Sequence, residues 1–353
     1  MVPYWLLFGI SAFASFFETP HYRLRFVNVR FVLVLMLIAI TLVVGLRYEV
    51  GGDWKSYIRY FFRASYSDFS EIPSLGDPGY MLVNWIAARL GGGIWLVNLV
   101  CATLFSWGLL SFAAAQPRPW LALVIATPYL IVVVAMGYTR QGVAIGMAMQ
   151  GLVALGTYRS NMRFVIWILL AATFHKSAVL LIPIAALTEN RGRFWTICWV
   201  GAATVLAYFA LLESSVDKLM RGYINREYDS GGANVRVAMN VLPAFIALYY
   251  KKFPFRLRER PLWKGMSVIA LALIPILMYS PSSTAIDRIG LYLIPLQLVV
   301  LSRLPDFVSR RDDVSRLVAV FVIVYSAAIM FTWLNYSSYA VLWVPYRMYF
   351  IQG

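Results

Sequence analysis

The sequence predicts an all-α fold that crosses a membrane many times, with about eleven membrane segments, one of them a re-entrant hairpin. Hydrophobic residues make up 61% of the 353 residues and charged residues only 13%, whereas a typical soluble domain has about 25% charged residues. The mean hydropathy is +0.71. The apolar residues also come in blocks close to the roughly 20 residues that a helix needs to span a bilayer. These observations exclude a water-soluble enzyme, a secreted disulfide-stabilised domain and a disordered chain.

The predicted membrane segments follow one another along the whole chain. They cover residues 3–17, 26–46, 94–115, 119–136, 141–157, 164–187, 194–212, 237–250, 262–280, 289–304 and 317–334. We expect the first to be a retained span rather than a signal peptide, because no basic residue precedes it and no cleavage site follows it. No internal repeat or linker marks a boundary, so we expect a single transmembrane domain over residues 1–353.

Basic residues in the short loops predict which loops face the cytoplasm. The 251–264 loop carries six basic residues and one acid, and the 302–316 loop and the first loop are also rich in arginine. We therefore place these loops in the cytoplasm and the N-terminus outside. The net charge of +15 then reflects cytoplasmic loops, and we expect no nucleic-acid partner.

This orientation requires one segment to enter and leave the membrane on the same side. The segment over 164–187 is interrupted by His175 and Lys176, and arginines flank it at both ends. Each half has about eleven residues, which in a helix rise about 16 Å, roughly half the hydrocarbon thickness. We predict a re-entrant hairpin with His175 and Lys176 near its tip.

Two loops on the outer side are long, one over 47–93 and one over 213–236. In the first, Gly51-Gly52 and the DPGY run at 77–80 are typical turn sequences. Between them the spacing predicts an amphipathic helix at the membrane interface. Its apolar face holds Trp54, Tyr57, Ile58, Phe61 and Phe62, and its polar face holds Lys55, Arg59 and Arg63.

Single arginines occur where outer loops meet membrane segments. They are Arg47, Arg140, Arg236, Arg288 and Arg347. The positive-inside rule makes arginines on this side unexpected, and a guanidinium is well suited to bind phosphate oxygens. The pattern therefore predicts an anion site that faces outward. The alternative is that each arginine is an interfacial anchor.

His175 and Lys176 are ionisable residues inside an apolar segment, where such residues are costly and usually line a cavity. The alternative for His175 is a hydrogen-bonded packing residue between helices. Asp53 and Asp77 are outer-side acids beside aromatic residues, and each could instead be a turn or cap residue. The sequence has no nucleotide-binding, metalloprotease or serine-hydrolase motif and only two histidines, so we expect no metal and no cofactor.

Five runs, in order along the chain, resemble the EpsG family of bacterial exopolysaccharide polymerases, relatives of the Wzy-type polymerases of O-antigen and capsule. They are GLRYEVGGDWKSY at 45–57, DPGY at 77–80, TRQGVAIGMAM at 139–149, FHKSAVLLIPI at 174–184 and WVPYRMYF at 343–350. The second outer loop and the region 281–290 match less distinctly. The resemblance implies a helical fold similar to the GT-C glycosyltransferases, in the bacterial inner membrane.

The resemblance also implies an activity. Such a polymerase joins oligosaccharide repeat units carried on undecaprenyl pyrophosphate, at the periplasmic or outer face, and releases lipid pyrophosphate. A chain-length regulator and a flippase are its expected protein partners. For the leaving pyrophosphate we expect Arg47, Arg140, Arg288, Arg236 and Lys176. For catalysis we expect His175 as the base, Asp53 as the second candidate and Arg140 as the charge-stabilising group. For the sugars we expect Trp54, Tyr57, Asp77 and Tyr80.

Three other functions stay open. An O-antigen-ligase-like transferase would use the same arginines and differ only in its acceptor. A flippase or transporter of lipid-linked sugars should show broken helices in both halves of the chain, and the sequence shows a single broken segment. A membrane scaffold would leave the outer arginines and the His175-Lys176 pair without a role.

Overall fold

The computed structural model describes residues 1–18, 29–187, 232–257, 259–279, 283–309 and 311–352, with residues 198, 200–202 and 205. Most of the predicted segment at 194–212 and most of the predicted outer loop at 213–236 lie outside the described residues. Within these ranges the secondary structure is helical, and the single extended contact is an isolated bridge between Arg47 and Met348. The all-α prediction is confirmed at this level.

The helices agree closely with the predicted apolar segments, because hydrophobic blocks of this length have no other way to satisfy their backbone in a membrane. They are α1 (Val2–Phe16), α2 (Val29–Gly45), α3 (Trp54–Ser65), α4 (Pro78–Arg89), α5 (Ile94–Ala114), α6 (Pro119–Ala126), α7 (Thr139–Gly156), α8 (Asn161–Phe174), α9 (Ala233–Tyr249), α10 (Arg260–Tyr279), α11 (Ser283–Tyr292), α12 (Ile294–Val308), α13 (Asp312–Tyr336) and α14 (Tyr349–Gln352). A π-helix at Thr127–Ala135 continues α6, and 3-10 helices cover Phe69–Ser74, Lys176–Leu187 and Ala340–Leu342.

Three of the described helices, α5, α10 and α13, are long and apolar enough to cross a membrane. The bent pair formed by α11 and α12 would be a fourth span. Other predicted segments are represented by shorter apolar helices of 10–17 residues, among them α1, α8 and α9. The chain is therefore a membrane protein by the length and composition of its helices, and the total of eleven segments stays a prediction.

Two of the described apolar helices are broken. One break falls at His175, between α8 and the 3-10 helix that begins at Lys176, where the sequence predicted an interruption. The other falls at Leu293, where α11 and α12 meet at an angle of 40°. This second break was not predicted from the sequence, where residues 289–304 were expected to be one segment. The prediction of a single broken segment was therefore wrong.

The described chain divides into two compact units. The first comprises residues 1–147, 173–175 and 302–353. In it α1 packs against α6 and α13, α2 packs against α5, and α3 packs against α4. Small residues let two backbones approach closely, since a Cβ added at Gly146 would lie 2.8 Å from the Cα of Phe105 in α5.

The second unit comprises residues 148–172 and 176–301. Helix α9 packs against α10 and α11, and the 3-10 helix at Lys176–Leu187 packs against the same two helices. Within this unit Gly151 lies close to Phe164 and Trp167, which brings α7 and α8 together. The predicted single domain over 1–353 stays a prediction beside these two units.

At the end of the first unit where α6 begins, polar side chains connect four elements. The Glu18 carboxylate accepts hydrogen bonds from the backbone N–H groups of Trp120 (2.8 Å) and Leu121 (3.1 Å), which are the free donors of the first turn of α6. Arg118 donates to Asp306 in α12 (2.6 Å) and to Ser315 in α13 (2.7 Å). The cluster ties the residue after α1 to α6, α12 and α13.

Burial raises the pKa of Glu18 from 4.5 to about 7, and the two backbone N–H groups offset part of that rise. Because the folded protein holds this proton more tightly than the unfolded chain, the free energy of unfolding should fall as the pH rises from about 4.5 to 7. We expect Glu18→Gln to remove this dependence and to be more stable than the wild type by about 1–3 kcal/mol at pH 8. Apparent unfolding temperatures in detergent at pH 5 and pH 8 measure this. Parallel pH dependence in the two proteins would contradict the assignment.

Candidate functional site

The first unit contains an arginine–aspartate pair formed by two of the predicted site residues. The guanidinium of Arg140, the second residue of α7, donates to the carboxylate of Asp77 at 2.7 Å. Asp77 is the N-cap residue of α4, and Pro78 starts that helix. The side chain of Asp77 is 8% exposed and that of Arg140 is 25% exposed. The open part of the pair is therefore the positive one.

Three tyrosines surround this pair. The Arg140 guanidinium lies over the ring of Tyr60, 4.8 Å from its centroid. The ring of Tyr80 lies 5.6 Å from that of Tyr57 and 6.1 Å from that of Tyr60, centroid to centroid. Burial raises the pKa of Tyr57 and of Tyr80, so both stay protonated at neutral pH. Arg140 thus has an aromatic, uncharged wall beside its carboxylate partner Asp77.

The DPGY run brings this pair close to the His175 region. A Cβ added at Gly79 would overlap the hydroxyl of Thr173 and lie 3.1 Å from the ring of Phe174. Glycine at this position allows the first turn of α4 to lie directly against the two residues before His175. The first unit therefore gathers three of the predicted runs, DPGY, TRQG and the start of FHKS, around Arg140.

Arg47 is fully buried and has uncharged partners. It donates to the backbone carbonyls of Val44 and Val50, to the Asn98 side-chain oxygen at 3.3 Å and to the Thr139 hydroxyl at 2.6 Å. Burial lowers the pKa of this guanidinium. The contact with Thr139 fixes the residue that precedes Arg140. The burial of Arg47 favours a role in positioning Arg140 over direct contact with an anion.

The run at 343–350 is the last of the five that resemble the family, and it lies against the first run, at 45–57. The backbone N–H of Tyr48 donates to the backbone carbonyl of Arg347 (3.0 Å), and the backbone N–H of Tyr349 donates to that of Leu46 (2.8 Å). These bonds hold the backbone on both sides of Arg47. The Trp343 indole donates to the carbonyl of Val132 at 2.7 Å. From this run the sequence singled out Arg347 as one of the outer-side arginines, and the resemblance to the family was the signal for the other residues of the run.

Asp53 and Trp54 stand at the start of α3 in the same unit. Asp53 is the N-cap residue of the helix and is partly exposed. The ring of Trp54 lies 5.9 Å from that of Tyr48, edge to face. Gly51, two residues before Asp53, has a φ of +108°, a conformation that favours glycine. The predicted turn and the predicted amphipathic helix are thus confirmed.

The remaining predicted anion ligands belong to the second unit. Arg236, in the first turn of α9, forms a buried ion pair with Asp287 of α11. Arg288 is exposed. Lys176 begins the 3-10 helix after the break, and the next residue, Ser177, donates to the Tyr292 hydroxyl at 3.3 Å. The predicted pyrophosphate ligands are thus divided between the two units, with Arg47 and Arg140 in the first.

The second unit also contains a hydrogen-bond network among the helices that carry the Arg236–Asp287 ion pair. This network was not predicted from the sequence. Asn240 donates to the carbonyl of Gly290 at 2.9 Å and accepts from Gln297 at 2.9 Å. Both residues sit in apolar segments, and a polar residue in such a segment is itself a signal. Tyr60 was missed as well, although it follows Tyr57 by three residues on the predicted helix.

Comparison with known proteins identifies a family for this chain. The family model described as the EpsG family matches residues 30–348. This stretch contains the Arg140–Asp77 pair, the region of His175 and most of the closing run. No curated protein and no solved structure matches the chain. A match over this much of the sequence shows that the chain belongs to the EpsG family.

Proposed function

We propose that the protein is a membrane glycosyltransferase that polymerises an exopolysaccharide. It would join oligosaccharide units carried on undecaprenyl pyrophosphate at the outer face of the bacterial inner membrane and release the lipid pyrophosphate. Membership of the EpsG family suggests a polymerase of this type. The observation that carries the proposal is the ion pair between the partly exposed Arg140 and the buried Asp77. This pair lies beside Tyr60 and close to the residues that precede His175.

The proposed reaction needs positive charge at the leaving group. An acceptor hydroxyl attacks the anomeric carbon, its new C–O bond forms, and the bond to the pyrophosphate oxygen breaks with its electrons moving to that oxygen. Arg140 is placed to stabilise this developing charge, because its side chain is partly exposed while that of its carboxylate partner Asp77 is buried. Arg47 would hold Arg140 in place through Thr139.

The proton of the acceptor hydroxyl needs a base. His175 is the first candidate because it directly follows residues packed against the DPGY turn. Asp53 is the second candidate, and it stands partly exposed at the start of α3. Trp54 is partly exposed and is our candidate for stacking on a sugar ring. Tyr57, Asp77 and Tyr80 are buried, so we propose that they shape the sugar site from behind Tyr60.

The further parts of the proposal concern the second unit and the topology. In the second unit, Arg288 is exposed and is a proposed phosphate ligand, as are Arg236 and Lys176. We further propose eleven membrane segments with a GT-C-like architecture, an N-terminus outside and a re-entrant hairpin at 164–187. A chain-length regulator and a flippase are the proposed protein partners.

Reconstitution tests the activity and the base together. Purified protein in vesicles, supplied with an undecaprenyl-pyrophosphate-linked repeat unit and no nucleotide or added metal, should produce a ladder of glycan multiples on a gel. We expect His175→Ala to reduce the rate by about a hundredfold or more and Asp53→Asn to reduce it less. If His175→Ala matches the wild type while Asp53→Asn is inactive, Asp53 is the base.

A transporter of lipid-linked sugars is the second candidate. The observation that favours it is the pair of helix breaks, at His175 and at Leu293, since broken helices with polar residues near the break often bind transported substrates. Movement of an intact lipid-linked unit across the vesicle membrane, without a ladder, would establish transport. Transfer of single units to another acceptor would instead establish a ligase-like transferase.

A further inference from the structure

Helix α3 presents three different sides. One side is buried, with Tyr57 and Ala64 packed inside the protein and Tyr60 under the Arg140 guanidinium. A second side is exposed and apolar, and Phe62 on it is 54% exposed. The third side is exposed and basic. A helix with this division of surface lies at a membrane interface with its apolar side in the bilayer.

The basic side is a continuous row. Lys55, Arg59 and Arg63 are all exposed and follow one another at intervals of four residues, which places them on one face of the helix. Among the ion pairs of the described chain, none involves these three side chains. Arg59 makes a hydrogen bond to Ser56 at 2.9 Å, which leaves most of its donors available. We call these three residues the basic row.

The surroundings of the basic row are suited to a lipid. The exposed ring of Phe69 lies on the short 3-10 helix that follows α3. The exposed Arg89 stacks on the ring of Trp85 in α4. The acids of this region, Asp68 and Glu71, are engaged in a capping box of the same 3-10 helix. The surface therefore combines apolar rings that enter a bilayer with cations at headgroup level.

We propose that the basic row recruits the pyrophosphate headgroup of the polyprenyl carrier from the membrane and delivers it to Arg140. This inference rests on the proposed function. Helix α3 connects the basic row directly to Arg140. The row lies on the exposed basic side of the helix, and Tyr60 on the buried side contacts Arg140. The row itself takes no part in bond making, so its removal should weaken capture of the lipid-linked unit and leave the chemical step intact.

The test compares two triple variants. Lys55→Gln, Arg59→Gln and Arg63→Gln together should raise the KM for the lipid-linked unit by about tenfold to a hundredfold with kcat unchanged. Matched removal of three exposed cations elsewhere, by Lys251→Gln, Lys252→Gln and Arg316→Gln, should leave KM within about twofold. The wild-type KM should rise with ionic strength and that of the basic-row variant should not.

Binding of a photoreactive polyprenyl pyrophosphate to the protein in nanodiscs provides a readout without turnover. We expect the basic-row variant to lose labelling about tenfold and the control variant to keep it. Unchanged KM and unchanged labelling in the basic-row variant would overturn the inference while a wild-type ladder still upholds the polymerase. Equal competition by phosphatidylglycerol and the pyrophosphate lipid would also overturn it, since the row would then be a general membrane anchor.

Discussion

Replacement of Arg140 by alanine should reduce polymer formation about a hundredfold or more, an effect as large as that expected for His175→Ala. The loss of one preorganised donor at a developing negative charge commonly has this size. Arg140 is the accessible half of its ion pair, whereas Arg47 is enclosed among neutral oxygens. The rate of ladder formation at saturating lipid-linked unit, in the reconstituted system, measures this effect.

A matched control for Arg140 exists on the same unit. Arg347 pairs with Glu49 at 2.7 Å and both side chains are nearly half exposed, so the pair should contribute little to stability. We expect Arg347→Ala to change the rate less than twofold. Equal losses in the two variants would mean that removal of any outer arginine–acid pair is harmful, and the special role of Arg140 would be contradicted.

Gly108→Ala should have the largest effect on stability, about 3 kcal/mol or more. Gly108 of α5 faces Gly146 of α7, and an added Cβ would overlap the carbonyl of Gly146, which is backbone and cannot turn aside. The two helices would have to move apart, and overpacking of this kind commonly costs 1–3 kcal/mol even where side chains can yield. The apparent unfolding temperature in detergent measures the change.

Gly9→Ala is the control for that substitution. Gly9 lies in the middle of α1 and no atom would come within 4 Å of an added Cβ. Alanine should therefore raise stability slightly, by about 0.5–1 kcal/mol, through its higher helix propensity. If Gly108→Ala leaves the unfolding temperature unchanged, the close approach of α5 and α7 is not present in the folded protein.

The sequence predicted the all-helical class and the positions of most described helices because hydrophobic length and charge are local properties. The apolar blocks became helices, and the interruption at His175 became a helix break. The amphipathic α3 begins at Trp54 as its spacing indicated. The break at Leu293 was missed because hydropathy treats residues 289–304 as one segment. Pro295, two residues after the break, was the available signal, since a proline interrupts a helix.

The contacts between site residues were harder to predict from the sequence than which residues belong to the site. Arg140 and Asp77 were both chosen from sequence, but as a pyrophosphate ligand and a sugar ligand and not as an ion pair. They are far apart in the chain, and the contact between them depends on how α4 packs in the fold. Arg47 was expected in the same anion site, and burial favours a supporting position. Exposure is a property of the folded structure. The sequence alone therefore could not show which of the arginines is exposed enough to contact an anion.

The central claim is that the Arg140–Asp77 pair forms an anion site for the lipid pyrophosphate. The most direct test is the dissociation constant of a polyprenyl pyrophosphate for the wild type, Arg140→Ala and Asp77→Asn in the same nanodiscs. We expect Arg140→Ala to weaken binding about tenfold or more, and Asp77→Asn to strengthen it, because the amide keeps a hydrogen bond to Arg140 but no longer competes as an anion. Unchanged affinity in both variants would contradict the claim.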